Sequence, residues 1–229
     1  MNPRPALAGA LAVALVLLSA CTSTSSTATP TAAPAPTATE VLAKSSAAMA
    51  GVTSAKFTLA IDGELPTVIV QSAQGDLTAA GDAQGTAKIV QFGQLVEVEF
   101  VLVGGDLYIK GPTGGFGKVP AALAGGIYDP SAILDPERGV AKVLTSVTNP
   151  TITSSDGGSW QVSGTVPAAV AAALVPGIAS DVAALLTISM ATSELTAAQF
   201  TLDGSDGKPA TAKVELSDFN ETVSISPPG

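Results

Sequence analysis

Hydrophobic and polar residues alternate along several segments of the chain, and this pattern predicts β-strands. Over 56–62, Phe57, Leu59 and Ile61 fall on one side and mostly polar residues on the other. The clearest alternation runs over 95–103, where Glu97 and Glu99 oppose an apolar face. That face consists of Val96, Val98, Phe100 and Leu102. Further strands are predicted at 65–70, 85–92, 106–110, 160–164, 185–190, 195–202 and 210–216, with a last extended piece at 222–225.

In other segments the apolar period becomes helical. Thr37-Ala38-Thr39-Glu40 matches a capping box, and the helix it opens should end at Gly51. Asp129-Pro130 and Asp135-Pro136 each have the form of an N-cap followed by proline at the first helical position. Pro167 opens a further helix over 168–175. A long antiparallel sheet with three or four helices is an α+β fold.

The first twenty residues have the pattern of an export signal. Residues 6–18 carry no charge, but this stretch is shorter than the roughly 20 residues that a membrane span needs. Leu18-Ser19-Ala20-Cys21 follows directly and resembles the bacterial lipobox. The resemblance implies that Cys21 is acylated on its sulfur and becomes the mature N-terminus. The alternative, a leftover cysteine in a cleaved leader, does not explain this spacing.

Residues 22–39 contain only Thr, Ser, Ala and Pro, a composition that cannot form a packed core. We therefore expect a signal peptide at 1–20, an acylated cysteine with a disordered tether at 21–36, and one domain at 37–229. The tether is either a plain spacer or a site of O-glycosylation.

Composition excludes several kinds of chemistry. The 229 residues include no His and one Cys, which removes histidine-dependent catalysis, imidazole metal sites and intramolecular disulfides. The net charge is −9 without a basic cluster, so we expect no nucleic-acid binding. Glu97 and Glu99 are spaced like a carboxylate pair of a glycosidase, but the alternation places them on the solvent side of the sheet. We expect no enzymatic activity, metal or cofactor.

Ile127-Tyr128-Asp129-Pro130, Ile133-Leu134-Asp135 and Arg138-Gly139 together resemble a conserved block of the mycobacterial LppX/LprA/LprF/LprG lipoprotein family. The similarity extends over most of 37–229, although Phe219-Asn220 stands where the family usually has Trp-Gly. The resemblance implies a curved antiparallel sheet, a half-barrel, with helices over its concave face enclosing an apolar cavity. In that family the cavity holds acyl chains of lipids or glycolipids.

Composition and side-chain size also favour a cavity, independently of the family resemblance. Aromatic residues make up only 4% of the chain, and 168–175 has small side chains nearly all round. A long apolar sheet covered by few bulky side chains leaves room for a bound ligand, although a fully packed core without a ligand remains the alternative. The predicted lipid-binding residues are Phe57, Leu59, Ile61, Ala87, Ile89, Val96, Val98, Phe100, Leu102, Ile133, Leu134, Val140, Val143, Leu144, Val170, Leu174, Leu186 and Ile188.

The expected function is a lipoprotein that carries a diacyl or triacyl lipid, or an acylated glycolipid, between layers of the cell envelope. We expect a monomer, anchored through Cys21 at the extracytoplasmic face of the cell membrane, with a membrane transporter as a possible partner. The alternative is a lipoprotein that acts by protein contact, as a partner of a sensor kinase or as a transporter accessory.

Overall fold

The computed structural model describes residues 35–65, 68–119, 130–174 and 178–229. Contacts divide the chain into two units, 1–35 and 36–229, and the account below concerns the second. Within the described ranges there are eleven strands. They are β1 Ser54–Asp62, β2 Val70–Thr78, β3 Ala83–Gln91, β4 Gln94–Val103, β5 Asp106–Lys110, β6 Gly117–Lys118, β7 Thr148–Ser154, β8 Ser159–Val166, β9 Val182–Ser189, β10 Leu195–Asp203 and β11 Pro209–Ser217.

The strands form one antiparallel sheet whose centre joins the two ends of the domain. Their spatial order is β6-β5-β4-β3-β2-β1-β11-β10-β9-β8-β7. Strands β1–β6 form one meander and β7–β11 a second, and the two meet where Phe57 of β1 pairs with Leu216 of β11. The link from β6 to β7 therefore leads from one edge of the sheet to the other. Its described part packs across the sheet and contacts β2.

In the part of the chain that the structure describes, three α-helices and a 3₁₀ turn cover one face of the sheet. The helices are α1 Ala38–Ala50, α2 Val140–Ser146 and α3 Ala168–Leu174, and the 3₁₀ turn is Pro130–Leu134. The predicted capping box of α1 is confirmed: the Glu40 amide donates to Thr37 Oγ1 at 3.3 Å, and the Thr37 amide donates to Glu40 Oε2 at 2.8 Å. Helix α1 is tied to α2 by Ser46 Oγ, which donates to the Ala141 carbonyl at 2.8 Å.

Burial alternates along the strands as the sequence predicts. In β1, Phe57 and Leu59 are buried, whereas Lys56 and Thr58 are exposed. In β4, Val98 and Phe100 are buried between exposed Glu97 and Glu99. The polar side chains thus face solvent and the apolar ones face the helices. The α+β class and the open, curved antiparallel sheet implied by the family resemblance are confirmed.

Two paired glycines allow close approach of β2 and β3. Gly75 lies opposite Gly85, and a Cβ on either would overlap a carbonyl oxygen of the facing strand. The same cross-strand row places Phe57 beside Gly75 and Phe100 beside Gly85. Glycine in a strand interior marks a close backbone approach or a sharp bend, and here both buried rings flank the two residues without side chains.

Several predicted strand boundaries were wrong. A strand is expected at 65–70, but of its described residues only Val70 is in a strand. Strand β2 begins at Val70 and continues through a mainly polar sequence. Strands β6 and β7 were not predicted as strands, and β7 contains Pro150, which an edge strand tolerates. Residues 222–225 are not in a strand.

The expected helix start at Asp135-Pro136 was also wrong. Asp135 holds a turn instead, and the N-cap of α2 is Gly139. A Cβ at Gly139 would overlap the carbonyl oxygens of Asp135 and Ile133, so the chain folds back there before the helix begins. The other expected cap, Asp129, lies outside the described residues. The family resemblance leads us to expect Gly at position 220, where this chain has Asn220. Its φ is 61°, a left-handed conformation that Asn tolerates better than most residues.

Candidate functional site: an apolar cavity

A cavity lies between the sheet and the elements that cover it. Its floor consists of residues from β1, β9, β10 and β11, and its roof comes from the 3₁₀ turn, α2 and α3. The 17 described lining residues are all apolar. They are Leu59, Ile61, Leu65, Val68, Ile133, Val140, Val143, Leu144, Leu174, Leu186, Leu195, Ala198, Phe200, Leu202, Ala212, Val214 and Leu216.

The cavity contains about 800 Å³ of space between atoms, a value that includes its open side. The centre of a water-sized sphere can occupy about 70 Å³ of it. A second apolar cavity of about 340 Å³ adjoins the first. The two share Val143, Leu174, Phe200, Leu202 and Ala212, and the second adds Val166, Ala171, Ile178 and Val182. Because the 800 Å³ also counts space open to solvent, it is an upper bound on the room that the first cavity offers a ligand.

The structure brings eight of the predicted lipid-binding residues together at this cavity. These eight are Leu59, Ile61, Ile133, Val140, Val143, Leu144, Leu174 and Leu186. Ten others line neither cavity. They are Phe57, Ala87, Ile89, Val96, Val98, Phe100, Leu102, Leu134, Val170 and Ile188, and all belong to or pack against the apolar core. Cys21 lies outside the described residues.

Much of the predicted site lies on β3 and β4, whereas the described floor of the first cavity extends over β10 and β11. Six of the seven missed floor residues recur at every second position: Ala198, Phe200 and Leu202 in β10, and Ala212, Val214 and Leu216 in β11. The seventh, Leu195, lies before the bulge in β10. This period-two pattern was the available signal, because it identifies the inward face of each strand as it does for β1.

The roof of the cavity is fixed by a polar turn outside it. Asp135 Oδ1 accepts hydrogen bonds from the amides of Glu137 and Arg138, at 2.8 and 3.2 Å, and its Oδ2 accepts one from Arg138 Nε at 2.9 Å. The Arg138 guanidinium holds the pKa of the Asp135 carboxyl below its ordinary value; burial opposes this effect and the two amides add to it. The Asp135 carbonyl accepts from the Gly139 amide at 2.7 Å. This turn therefore sets the angle between the 3₁₀ turn and α2, which both line the cavity.

The chemistry of the site is limited to apolar contact. None of the described lining residues has a titratable or hydrogen-bonding side chain. In the described ranges, no cluster of His, Cys, Asp or Glu could hold a metal ion. The described helices are all too short or too polar to cross a membrane. Such a site can bind a hydrocarbon chain by excluding water, and its described lining residues supply no group that attacks, protonates or coordinates a ligand.

An open, curved antiparallel sheet covered by helices is also the fold of two mycobacterial proteins of known structure. LprF from Mycobacterium bovis is similar to this chain with a TM-score of 0.70 and 29% identity, over 85% of this chain and 98% of LprF. The Mycobacterium tuberculosis lipoprotein LppX shares the fold, with a TM-score of 0.62 and 21% identity over 82% and 98% of the two chains.

The sequence comparisons identify the family. Residues 37–225 match the model of the LppX_LprAFG lipoproteins, and the chain belongs to this family. It is similar to a protein of Mycolicibacterium hassiacum named lipoarabinomannan carrier protein LprG, with 31% identity over 83% of this chain and 84% of that protein. The LprG of Mycolicibacterium smegmatis is 29% identical over 74% of each chain.

Proposed function

We propose that this protein binds the acyl chains of a lipid or acylated glycolipid in the apolar cavity and carries that lipid between layers of the cell envelope, without catalysing a reaction. The observation that carries the proposal is the lining itself: among the described residues, 17 converge on the cavity and each of them is apolar. The names of two kinds of relative, lipoarabinomannan carrier protein and putative diacylated glycolipid transporter, support it.

The energetics explain why a carrier needs such a site and nothing more. Moving hydrocarbon into water costs about 0.8 kcal/mol per methylene, so a lipid with roughly thirty methylenes faces a barrier on the order of 25 kcal/mol. A cavity that exchanges one apolar environment for another removes most of this cost. The polar headgroup remains outside in water, and transfer then requires no reactive side chain.

We further propose that Cys21 carries the membrane anchor and that the domain beginning near Thr37 is held to the membrane by the tether. The lipobox pattern at Leu18–Cys21 supports the anchor, and the capping box at Thr37 supports the start of the folded domain. Acyl chains on the anchor would keep the carrier at the extracytoplasmic face of the cell membrane.

The direct test is mass spectrometry of organic extracts from the full chain, purified without added lipid. A stoichiometric amount of one lipid class is the expected result. Absence of extractable lipid, together with failure to take up a fluorescent phospholipid from vesicles, would contradict the proposal. That outcome would favour a lipoprotein that acts by protein contact.

A further inference from the structure

Large apolar side chains are exposed at one hairpin of the sheet. Among the described residues, the exposed ones are Ile69, Val90, Phe92, Leu95 and Met190, with 42%, 39%, 97%, 59% and 37% of their surface accessible. The first four belong together: Val90 pairs with Leu95 across the β3–β4 hairpin, and the Val90 amide donates to the Ile69 carbonyl at 2.8 Å. Phe92 forms the turn, and residues 89–96 carry no charge. We call Ile69, Val90, Phe92 and Leu95 the apolar tip.

The backbone of the turn shows that Phe92 is not there for the fold. Phe92 and Gly93 have φ angles of 51° and 76°, so both central residues of this two-residue turn are left-handed. Such turns favour Asn-Gly, and a bulky residue at the first position is unusual. The ring is 97% exposed and makes no compensating contact in the domain. A strained residue whose side chain does nothing for folding points to a role outside the folded chain.

The cavity lining runs along the sheet from Leu195 and Leu216 at one end to the end that carries the tip. Val68 lines the cavity, and the next residue, Ile69, belongs to the tip. Other lining residues lie at the same end, with Ile61 near the end of β1, Leu65 in the following loop and Leu202 near the end of β10. Met190, by contrast, follows β9 at the opposite end of the sheet.

We propose that the apolar tip inserts into a lipid bilayer and holds this end of the cavity against the membrane surface. A stable protein interface buries about 800 Å² on each partner, which one projecting ring with three neighbours does not offer. A bilayer accepts such a small convex projection, because apolar side chains enter the boundary between headgroups and acyl chains while Gln91 and Gln94 stay hydrated. Insertion does not depend on the proposed lipid carriage. If the protein carries lipid, insertion would allow that lipid to enter the cavity directly from the bilayer.

Insertion is tested with the full chain reconstituted into vesicles of phosphatidylcholine and phosphatidylglycerol with brominated acyl chains. Phe92→Trp places a fluorescent ring in the tip, and Met190→Trp is the matched control on an exposed apolar residue at the other end. The native Trp160 signal is subtracted using the unmodified chain. We expect the emission added by Phe92→Trp to be quenched as for a ring about 5–10 Å below the headgroups, and that added by Met190→Trp to be unchanged. Equal quenching at both sites, or none at the tip, would overturn the proposal.

Phe92→Asn separates insertion from lipid binding. Asn suits the left-handed turn, so the fold is kept, while the ring is lost. We expect lipid transfer to acceptor vesicles to slow by about tenfold, equivalent to about 1.4 kcal/mol, with the lipid bound per protein unchanged. If no lipid is bound by either protein, the proposed function fails but the quenching experiment still decides insertion. Slow transfer by the variant without quenching at the tip would show a protein contact and overturn membrane insertion.

Discussion

Ala212 offers a position at which the cavity can be filled from the sheet. It lies in β11 opposite Ile61 of β1 and Phe200 of β10, is buried, and lines both cavities. Ala212→Phe would place a ring in the space below α2 and α3. Phe is preferable to Trp because the apolar lining has no acceptor for a buried indole N–H.

Two opposing effects determine the stability of this variant without lipid. Burying a Phe side chain contributes about 1.5–3 kcal/mol, whereas overpacking costs about 1–3 kcal/mol. The free energy of unfolding should therefore stay within about 1 kcal/mol of that of the native chain. A bound acyl chain, however, loses room for roughly four methylenes, which at about 0.8 kcal/mol each amounts to about 3 kcal/mol. Lipid affinity should fall by about two orders of magnitude.

The matched control is Ala87→Phe. Ala87 is also buried in mid-strand, between Ala73 and Val98, but lines neither cavity. The same ring in packed surroundings should cost about 1–3 kcal/mol and lower the melting temperature by about 2–4 °C per kcal/mol. Its lipid content per folded protein should match that of the native chain.

The assay compares melting curves and extracted lipid per protein for the two variants. The reasoning predicts a stable variant with little lipid at Ala212 and a destabilised variant with normal lipid at Ala87. If Ala212→Phe melts as early as Ala87→Phe while its folded fraction keeps the native lipid content, the cavity over β10 and β11 is not the binding site.

Three further predictions concern the frame of the site and the anchor. Gly75→Ala adds a Cβ that overlaps a facing carbonyl oxygen, so denaturant titration should show that the free energy of unfolding falls by about 3 kcal/mol. Gly117→Ala adds its Cβ in open space and should change the free energy of unfolding by under about 0.5 kcal/mol. Equal effects of the two substitutions would contradict the close approach of β2 and β3. Because Arg138 lowers the folded-state pKa of Asp135, this carboxylate stabilises the fold above about pH 4 and the contribution is lost as the pH falls through the folded pKa. Asp135→Asn should therefore flatten the acid side of the stability–pH curve by under about 1 kcal/mol, and an unchanged curve would refute this. Cys21→Ala removes the only thiol of the chain, so intact mass spectrometry should show no acyl adduct, and a persisting adduct would refute the anchor.

The sequence predicted those parts of the fold in which apolar and polar residues alternate sharply. Strands β1 and β4, their buried faces and the capping box of α1 follow from local patterns, and the structure has all of them. Most of strand β2 was not predicted, because its sequence, with Gly75 near its middle, has too few apolar residues to show an alternation. Strand β7 was not predicted, because it is an edge strand that contains Pro150.

Locating the cavity required information that a local pattern does not contain. An apolar inward face looks the same whether a covering element fills the space above it or leaves a gap. The gap opens beneath the 3₁₀ turn, α2 and α3, over β1, β9, β10 and β11. Which strands lie below which helix depends on the pairing of β1 with β11, a contact between residues at opposite ends of the domain.

This central pairing also governs when the protein can fold. Strand β1 is among the first segments to be synthesised, and the strand that completes its second side, β11, is the last. Until residues 209–217 are available, β1 presents an unpaired edge and the two meanders have no common seam. Pairings of such long sequence separation form slowly, typically in milliseconds to seconds for sheet-rich domains. Each meander can therefore pair internally first, but the complete sheet, and with it the cavity floor that combines β1 with β9, β10 and β11, forms only after the final strand has been synthesised.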